Sequence, residues 1–254
     1  MLEASDITVR FGGVTAVDGV SLTVADHEIV GLIGPNGSGK STFINAITGL
    51  VRAEGSLKIN GESIRLGHQG QVARKGVLRT FQTPQVHDAL TCLENVLIGL
   101  PQRNLRTLPA ACFRRRAMMK VERWRWEGAY EALRFAGLGG AQDMLAGALT
   151  YGARRRLELA RAYFGKPQLL LLDEPAAGLN QRETQGLVEL LIKWRDAGGP
   201  ALLLVEHKID FLESLCHRMI VLELGKQIAS GEPAQVWAEP KVIDAYLGSL
   251  VTDA

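Results

Sequence analysis

The residues with the clearest chemical purpose form the run Gly34-Pro35-Asn36-Gly37-Ser38-Gly39-Lys40-Ser41-Thr42. Residues 34–41 fit the pattern G-x-x-x-x-G-K-[ST] in full. They follow the apolar run Ile29-Val30-Gly31-Leu32-Ile33 and precede a helical pattern of Phe43, Ile44, Ile47 and Leu50. A buried strand, a glycine-rich turn and a helix in that order make a phosphate cradle. Backbone N–H groups around Gly37, Ser38 and Gly39 converge on phosphate oxygens because glycine permits the angles required. The helix that begins near Gly39 aims its positive end at the same anion. Lys40 brings a mobile positive charge to the β- and γ-phosphates. Ser41 offers a hydroxyl to Mg2+, an ion that prefers oxygen ligands and keeps several waters.

Such a site needs an acid at the end of a neighbouring buried strand to hold the water shell of the metal. The run Leu169-Leu170-Leu171-Leu172-Asp173 supplies it, and Glu174 follows as a second carboxylate able to orient and deprotonate an attacking water. An Asp-Glu pair alone is usually a solvated strand end; four preceding leucines and a phosphate cradle in the same chain change its meaning. His207 follows the apolar run Leu202–Val205, which places it at the edge of another strand, although a lone histidine is more often structural.

The elements that must position these groups alternate along the chain. Ile7, Val9 and Phe11, then Val20, Leu22 and Val24, alternate with polar residues and read as strands broken at Gly12-Gly13. The continuous run 29–33 reads as a strand buried on both faces. Leu57–Ile59 reads as a short strand ending at an Asn60-Gly61 turn. Between Thr83 and Leu149 no β-rich run occurs: Leu93 to Leu100 reads as helix, 101–109 as loop, and Cys112 to Ala136 as helix, together a helical insert. Beyond residue 150 the spacing predicts a helix over Ala153–Phe164, a strand over Leu169–Leu172, and a helix over Glu183–Trp194. Strands over Ala201–Val205 and Met219–Leu222 follow. Strands alternating with helices imply a mostly parallel sheet covered on both faces.

Composition closes off other classes. The chain of 254 residues is 46% hydrophobic and 22% charged, which is globular rather than disordered. Its longest apolar runs fall far short of the roughly twenty residues a membrane helix needs, and no secretory signal is visible at the N-terminus. Cys92, Cys112 and Cys216 lie far apart with no CxxC pair, against a disulfide framework or a zinc site and for a reducing cytosol. A net charge of +2 does not indicate wholesale nucleic-acid binding. The charge is unevenly spread, however: residues 101–126 carry a net +7 and the rest of the chain −5.

Taken in order, Phe11, GPNGSGKST (34–42), Gln82, LTYGARRRLELARA (149–162), LLLLDEP (169–175), AGLN (177–180) and VEH (205–207) resemble the motifs of an ABC transporter ATPase subunit. The resemblance covers nearly the whole chain, and seven motifs in order are far more specific than any one of them. It implies an α/β P-loop NTPase with an N-terminal antiparallel β-subdomain and a helical subdomain insert. Residues 1–83 and 150–254 would form the RecA-like core plus β-subdomain, and 84–149 the helical subdomain. RFGGVTAVDGVSL, GVLRTFQ, the YG of the signature, DEPAAGLN, VEHK and VIDAYLG are most similar to the LivG-type ATPases of branched-chain amino-acid importers. Urea and amide importers and the lipopolysaccharide-export ATPase share parts of this pattern. ABC ATPases that do not transport usually show two cassettes or a long coiled-coil insertion, and neither is visible here.

Carried over residue by residue, the resemblance makes Phe11 the aromatic that stacks on adenine and Gln82 the amide that reaches Mg2+ and the attacking water. Glu174 becomes the general base and His207 the γ-phosphate contact. Leu149-Thr150-Tyr151-Gly152-Ala153 stands where LSGGQ is usual and binds the ATP held by an opposing subunit. Thr150 keeps the hydroxyl and Gly152 the close-approach glycine, whereas Tyr151 and Ala153 depart from the consensus. Asn180 resembles the loop that crosses the dimer seam, where Asp is more usual. The implied assembly has a second ATPase subunit, a paralogue in Liv-type systems, and two transmembrane permeases, with a periplasmic or extracellular solute-binding protein acting indirectly and no nucleic acid. The implied location is peripheral, at the cytoplasmic face of the inner membrane. The insert after Gln82 would carry nucleotide-driven motion to permease loops. For the basic segment, Arg114, Arg115 and Arg116 are candidates to meet anionic lipid or acidic permease loops, against a plain solvated face. Trp124 and Trp126 are expected in packing, and Arg154, Arg155 and Arg156 on a solvated helix surface.

Overall fold

In the computed structural model, alternation near the N-terminus produces two long strands, β1 (Leu2–Phe11) and β2 (Val14–Val24), joined at Gly12, whose φ of +58° suits the tight turn. The structure describes residues 1–99 and 115–252, with side chains for all of these except 115–121 and 247–252. After β3 (Ile29–Ile33) come α1 (Lys40–Ile47), β4 (Glu54–Ile59), β5 (Glu62–Ile64), α2 (Gln69–Arg74) and β6 (Val77–Arg79). The helices α3 (Cys92–Leu97), α4 (Arg115–Phe135) and α5 (Tyr151–Gly165) follow. The chain then runs through β7 (Leu169–Asp173), α6 (Gln181–Asp196), β8 (Ala201–Val205), α7 (Ile209–Leu215), β9 (Arg218–Glu223), β10 (Lys226–Gly231), α8 (Pro233–Ala238) and α9 (Pro240–Thr252).

The chain divides into two compact units. The first holds residues 1–82, 168–177 and 184–254. It contains a four-stranded antiparallel sheet in the order β2-β1-β4-β5 and a six-stranded sheet in the order β10-β9-β3-β8-β7-β6. In the larger sheet every neighbouring pair is parallel except β10 with β9. The strands β3, β7 and β8 read IVGLI, LLLLD and ALLLV and are buried almost throughout, as parallel strands covered on both faces must be. Val30, Leu32, Leu169, Leu171, Leu203 and Val205 share one core with Phe43, Ile44 and Ile47 of α1 and with the inward side chains of β1, β2 and β4. Gly31 faces the other way, where an added Cβ would lie 3.0 Å from Cys216 Sγ and 3.2 Å from Leu212, so glycine lets α7 pack close. Burial pushes the Cys216 thiol up to about 12, which makes it a small apolar filler.

The second unit holds residues 83–167 and 178–183. Helix α5 lies in this unit, whereas a division at 149/150 places it with the core. Its core joins Cys92, Leu93 and Val96 of α3 to Ala129, Ala132 and Leu133 of α4 and to Leu157, Ala160 and Phe164 of α5. Helix α3 starts at a capping box in which Thr91 and Glu94 satisfy each other's backbone N–H groups, and it ends at Leu97, short of the expected Leu100. Residues 100–114, which include Cys112, Arg114 and the expected loop 101–109, lie outside the described residues, as do the side chains of Arg115 and Arg116.

Two expectations about this unit are corrected. Arg155 is not on a solvated surface: it is 1% exposed and bonds Glu158 at 2.7 Å, because α5 turns that position into the unit's interior. Trp124 and Trp126 are not packed away but 52% and 46% exposed, although the Trp124 ring lies 6.4 Å from that of Phe164. Among the described residues no helix is long and apolar enough to cross a membrane.

Candidate functional site

The parallel order of the larger sheet brings the carboxyl ends of β3, β8, β7 and β6 to one edge. Loops at such an edge are where α/β sheets bind ligands. The turn 34–39 leaves β3, Glu206 and His207 leave β8, Asp173 and Glu174 end β7, and Arg79 to Gln82 leave β6. Residues far apart in sequence therefore become neighbours.

Gly34, Gly37 and Gly39 all have positive φ, at +146°, +77° and +99°. A methyl group at Gly39 would lie 2.6 Å from the Ala16 carbonyl oxygen, and one at Gly34 would collide with the Leu222 carbonyl oxygen. Those two positions are fixed by close backbone on the inner side of the turn. Gly37 has nothing within 4 Å of its added Cβ, so the outer side is open to an approaching group. Pro35 is half-buried, Asn36 and Ser41 are exposed, Thr42 is half-buried, and Ser38 is buried with its carbonyl accepting from Gly225 N at 3.0 Å.

Lys40 opens α1 and is only 6% exposed. Its Nζ donates to the carbonyls of Gly34 and Pro35 at 2.8 and 2.9 Å and to Ser38 Oγ at 3.4 Å. Burial pulls its pKa below the ordinary lysine value, while the charges of Glu174 and Asp173 push it back up. The Ser38 N–H is already donated to Pro35 O at 3.2 Å, while a desolvated ammonium beside the exposed Asn36, Gly37 and Ser41 fits a polyphosphate.

Glu174 sits at φ +45°, a left-handed conformation rare for a side chain of this size. Its N–H donates to Val205 O at 2.8 Å and its carbonyl accepts from Ala177 N at 3.0 Å, which holds the backbone there. Gln82 Nε2 donates to Glu174 Oε2 at 2.8 Å, and His207 Nε2 lies 3.2 Å from Oε1. Both oxygens of the carboxylate are thus engaged by the two residues that the motif order pairs with it. Asp173 accepts from Arg79 Nη2 at 2.7 Å. Lys40, Asp173, Glu174, Gln82 and His207 therefore gather at one edge of one unit. Phe11 ends β1 and is 52% exposed, with its ring presented to solvent.

Thr150, Gly152 and Asn180 lie in the other unit. Thr150 caps α5, its Oγ1 accepting from Ala153 N at 3.3 Å, so the hydroxyl already has a partner in the backbone. Asn180 Oδ1 accepts from Glu183 N at 2.9 Å while Glu183 accepts from Asn180 N at 3.1 Å, a reciprocal cap on α6. The same Glu183 carboxyl crowds the space over Gly152, where an added Cβ would fall inside van der Waals contact distance. Gly152 is a close-approach glycine here towards a side chain of its own unit.

Sequence reasoning missed three groups. Glu206 is 3% exposed and accepts from Ala176 N at 2.9 Å and His207 N at 2.7 Å, fastening the β7 and β8 loops together. Lys208 Nζ donates to Ala176 O at 3.0 Å. Arg79 pairs with Asp173 and Asn45. Glu206 carries a local signal, an acid directly after a buried strand, whereas the pairing of Arg79 with Asn45 and Asp173 has none, because it spans 34 and 94 positions.

The ABC transporter family profile matches residues 17–177. The high-affinity branched-chain amino acid transport ATP-binding protein BraF of Pseudomonas aeruginosa is 41% identical over 250 residues, covering 98% of each chain. The corresponding protein LivG of Escherichia coli K12 is 36% identical over 249 residues, again covering 98% of each. Among solved structures, the ADP conformation of the ATP-binding cassette MJ1267 of an ABC transporter superposes with a TM-score of 0.82 at 32% identity, covering 98% of both chains. A nucleotide-free cassette from an ABC transporter gives 0.81 at 31%, covering 97% of this chain and 98% of its own. Nearly full-length likeness and the gathering of the phosphate turn, the strand-end acids and the histidine at one edge lead to one conclusion: this chain belongs to the ABC transporter family, as one of its ATP-binding, ATP-hydrolysing subunits.

Proposed function

We propose that this chain is the ATP-hydrolysing motor subunit of an importer for branched-chain or other hydrophobic amino acids. Likeness to BraF and LivG over 98% of the chain supports the solute class. The observation that carries the motor reading is the Glu174 carboxylate held between Gln82 and His207 beside the phosphate turn. In this reading Phe11 stacks on the adenine, and the turn from Gly34 to Thr42 wraps the phosphates with its N–H groups and Lys40. Glu174 takes the proton of the attacking water as its oxygen bonds to the γ-phosphorus, and ADP departs with the old bridging oxygen. His207 orients the γ-phosphate. Bound Mg2+ would neutralise phosphate charge, and Ser41, Asp173 and Gln82 are the oxygen donors suited to hold it or its waters. The strain in Glu174 (φ +45°) is the kind of cost retained where a side chain must point one way.

Thr150 and Gly152 are assigned to the ATP of a second subunit, so two ATPase subunits close face to face, the second a paralogue. ATP has differential affinity for the closed pair, and losing the γ-phosphate contacts lets it open. Two permeases, served by a periplasmic or extracellular solute-binding protein, receive this motion, which places the subunit peripherally at the cytoplasmic face of the inner membrane. Glu174→Gln tests the core of the reading. ATP affinity should stay within a few-fold while turnover falls by about 100-fold or more. Undiminished hydrolysis in that variant removes Glu174 from the mechanism.

A further inference from the structure

Arg79 is the group at this edge that the proposed mechanism leaves without a task. It ends β6, the edge strand, and its guanidinium makes three attachments. Nη2 donates to Asp173 Oδ2 at 2.7 Å, Nη1 donates to Asn45 Oδ1 at 2.6 Å, and the guanidinium carbon lies 5.1 Å from the centre of the Phe81 ring. The ion pair is well covered, with side chains 11% and 14% exposed. Asn45 belongs to α1, the helix that carries Lys40, and Phe81 precedes Gln82. One side chain thus joins the phosphate-turn helix, the end of β7 and the approach to Gln82.

The attachment to Asp173 is one-sided. Oδ2 is taken, whereas Oδ1 has no hydrogen-bond partner among the described residues. A carboxylate held by one oxygen has a fixed orientation and keeps the other oxygen for a further ligand. The planar fork holds Asp173 and Asn45 from two separate nitrogens at fixed angles, whereas a lysine ammonium would have to reach both from one atom. We propose that Arg79 is a positioning residue of the hydrolytic site, fixing Asp173 by Oδ2 so that Oδ1 is presented to the divalent ion and its waters. The proposal rests on the reading of Asp173 as the metal-side acid. Groups that orient metal-side ligands in this way typically control metal affinity or activity by about 10- to 100-fold.

The test compares Arg79→Met, Arg79→Lys and Asn45→Leu with the unaltered chain, alone and in an Asp173→Asn background. Mn2+ binding to the ADP-loaded protein is followed by electron paramagnetic resonance, alongside kcat and KM for ATP. Arg79→Met is expected to weaken Mn2+ binding and lower kcat by about 10-fold each, with KM for ATP within about twofold because the phosphate turn is untouched. Arg79→Lys should fall between. In the Asp173→Asn background the same change should add less than about twofold to either loss, since the residue acts through that carboxylate. Asn45→Leu, which keeps the guanidinium but removes its second anchor, should weaken Mn2+ binding in the same direction, and it decides the matter if Arg79→Met does not fold. Mn2+ affinity unchanged in Asn45→Leu and Arg79→Lys, or an equal Arg79→Met penalty with Asp173→Asn, would make the pair a simple sheet-edge clasp and overturn the proposal. Full Mn2+ affinity in Asp173→Asn alone would instead overturn the reading of Asp173, and the proposal with it.

Discussion

At the scale of single residues, backbone conformation does as much as side-chain type. Gly39 and Gly37 both occupy positive φ, yet their surroundings differ: the first faces the Ala16 carbonyl at 2.6 Å from an added Cβ, the second faces open space. Gly39→Ala is therefore expected to cost stability through both left-handed strain and a backbone clash, about 3 kcal/mol or more. Gly37→Ala carries the strain alone, about 1–2 kcal/mol. Thermal unfolding of the two variants measures the difference. Nucleotide titration should show Gly37→Ala, despite its milder fold defect, losing affinity, because the methyl group enters the open side of the turn. Lys40 follows the same logic in charge. Its ammonium is buried and held by backbone carbonyls, ready to exchange weak neutral partners for phosphate oxygens.

At the scale of elements, the buried pair Arg155–Glu158 on α5 is the feature that sequence misled most. Glu158 also accepts from Gln85 N at 3.1 Å, which ties the segment after Gln82 to α5 within one unit. Burial holds the Glu158 carboxyl above its ordinary value, with Arg155 pulling it back down. Arg155→Met removes the ion-pair partner of that carboxylate, leaving it the Gln85 N–H and the charge of Arg161, and is expected to destabilise the protein by about 3 kcal/mol at neutral pH. The sign of the pH dependence follows from linkage. A carboxyl raised in the folded state costs stability fully above its folded pKa and nothing below its unfolded value of 4.5. The penalty in Arg155→Met should therefore shrink as pH falls through that window, as denaturant melts at successive pH values would record. A constant penalty would show that lost packing, not the orphaned charge, is responsible. Solvated-surface reasoning failed here because an R-R-R run has one member on each side of a helix, and only packing selects which is buried.

At the scale of the whole molecule, the transport reading depends on assembly. Gentle affinity purification from native membranes is expected to recover two multi-helix permeases, a second ATPase and an exported solute-binding protein. Binding assays on that last protein would name the solute. Recovery of only soluble partners, ribosomes or DNA would overturn the transporter reading and leave the ATPase intact.

The phosphate turn, the acids at the end of β7, the histidine after β8 and the long buried strands are legible from residues alone, because each is encoded locally: fixed spacing, glycine where only glycine fits, or an unbroken apolar run. The sequence did not reveal β5, β6 or β10, which are short or lie at a sheet edge and owe their form to a paired neighbour, nor the short helices α2, α7 and α8, nor α9. Tertiary structure alone decided that Gln82 and His207 hold the two oxygens of Glu174, that Glu206 fastens two loops, that Arg155 is interior, and that Arg79 grips Asp173. Arg155 apart, whose partner Glu158 is three positions along the same helix, those contacts join residues 30 to 94 positions apart. Their partners are set by strand order in a parallel sheet, and no local pattern carries that order.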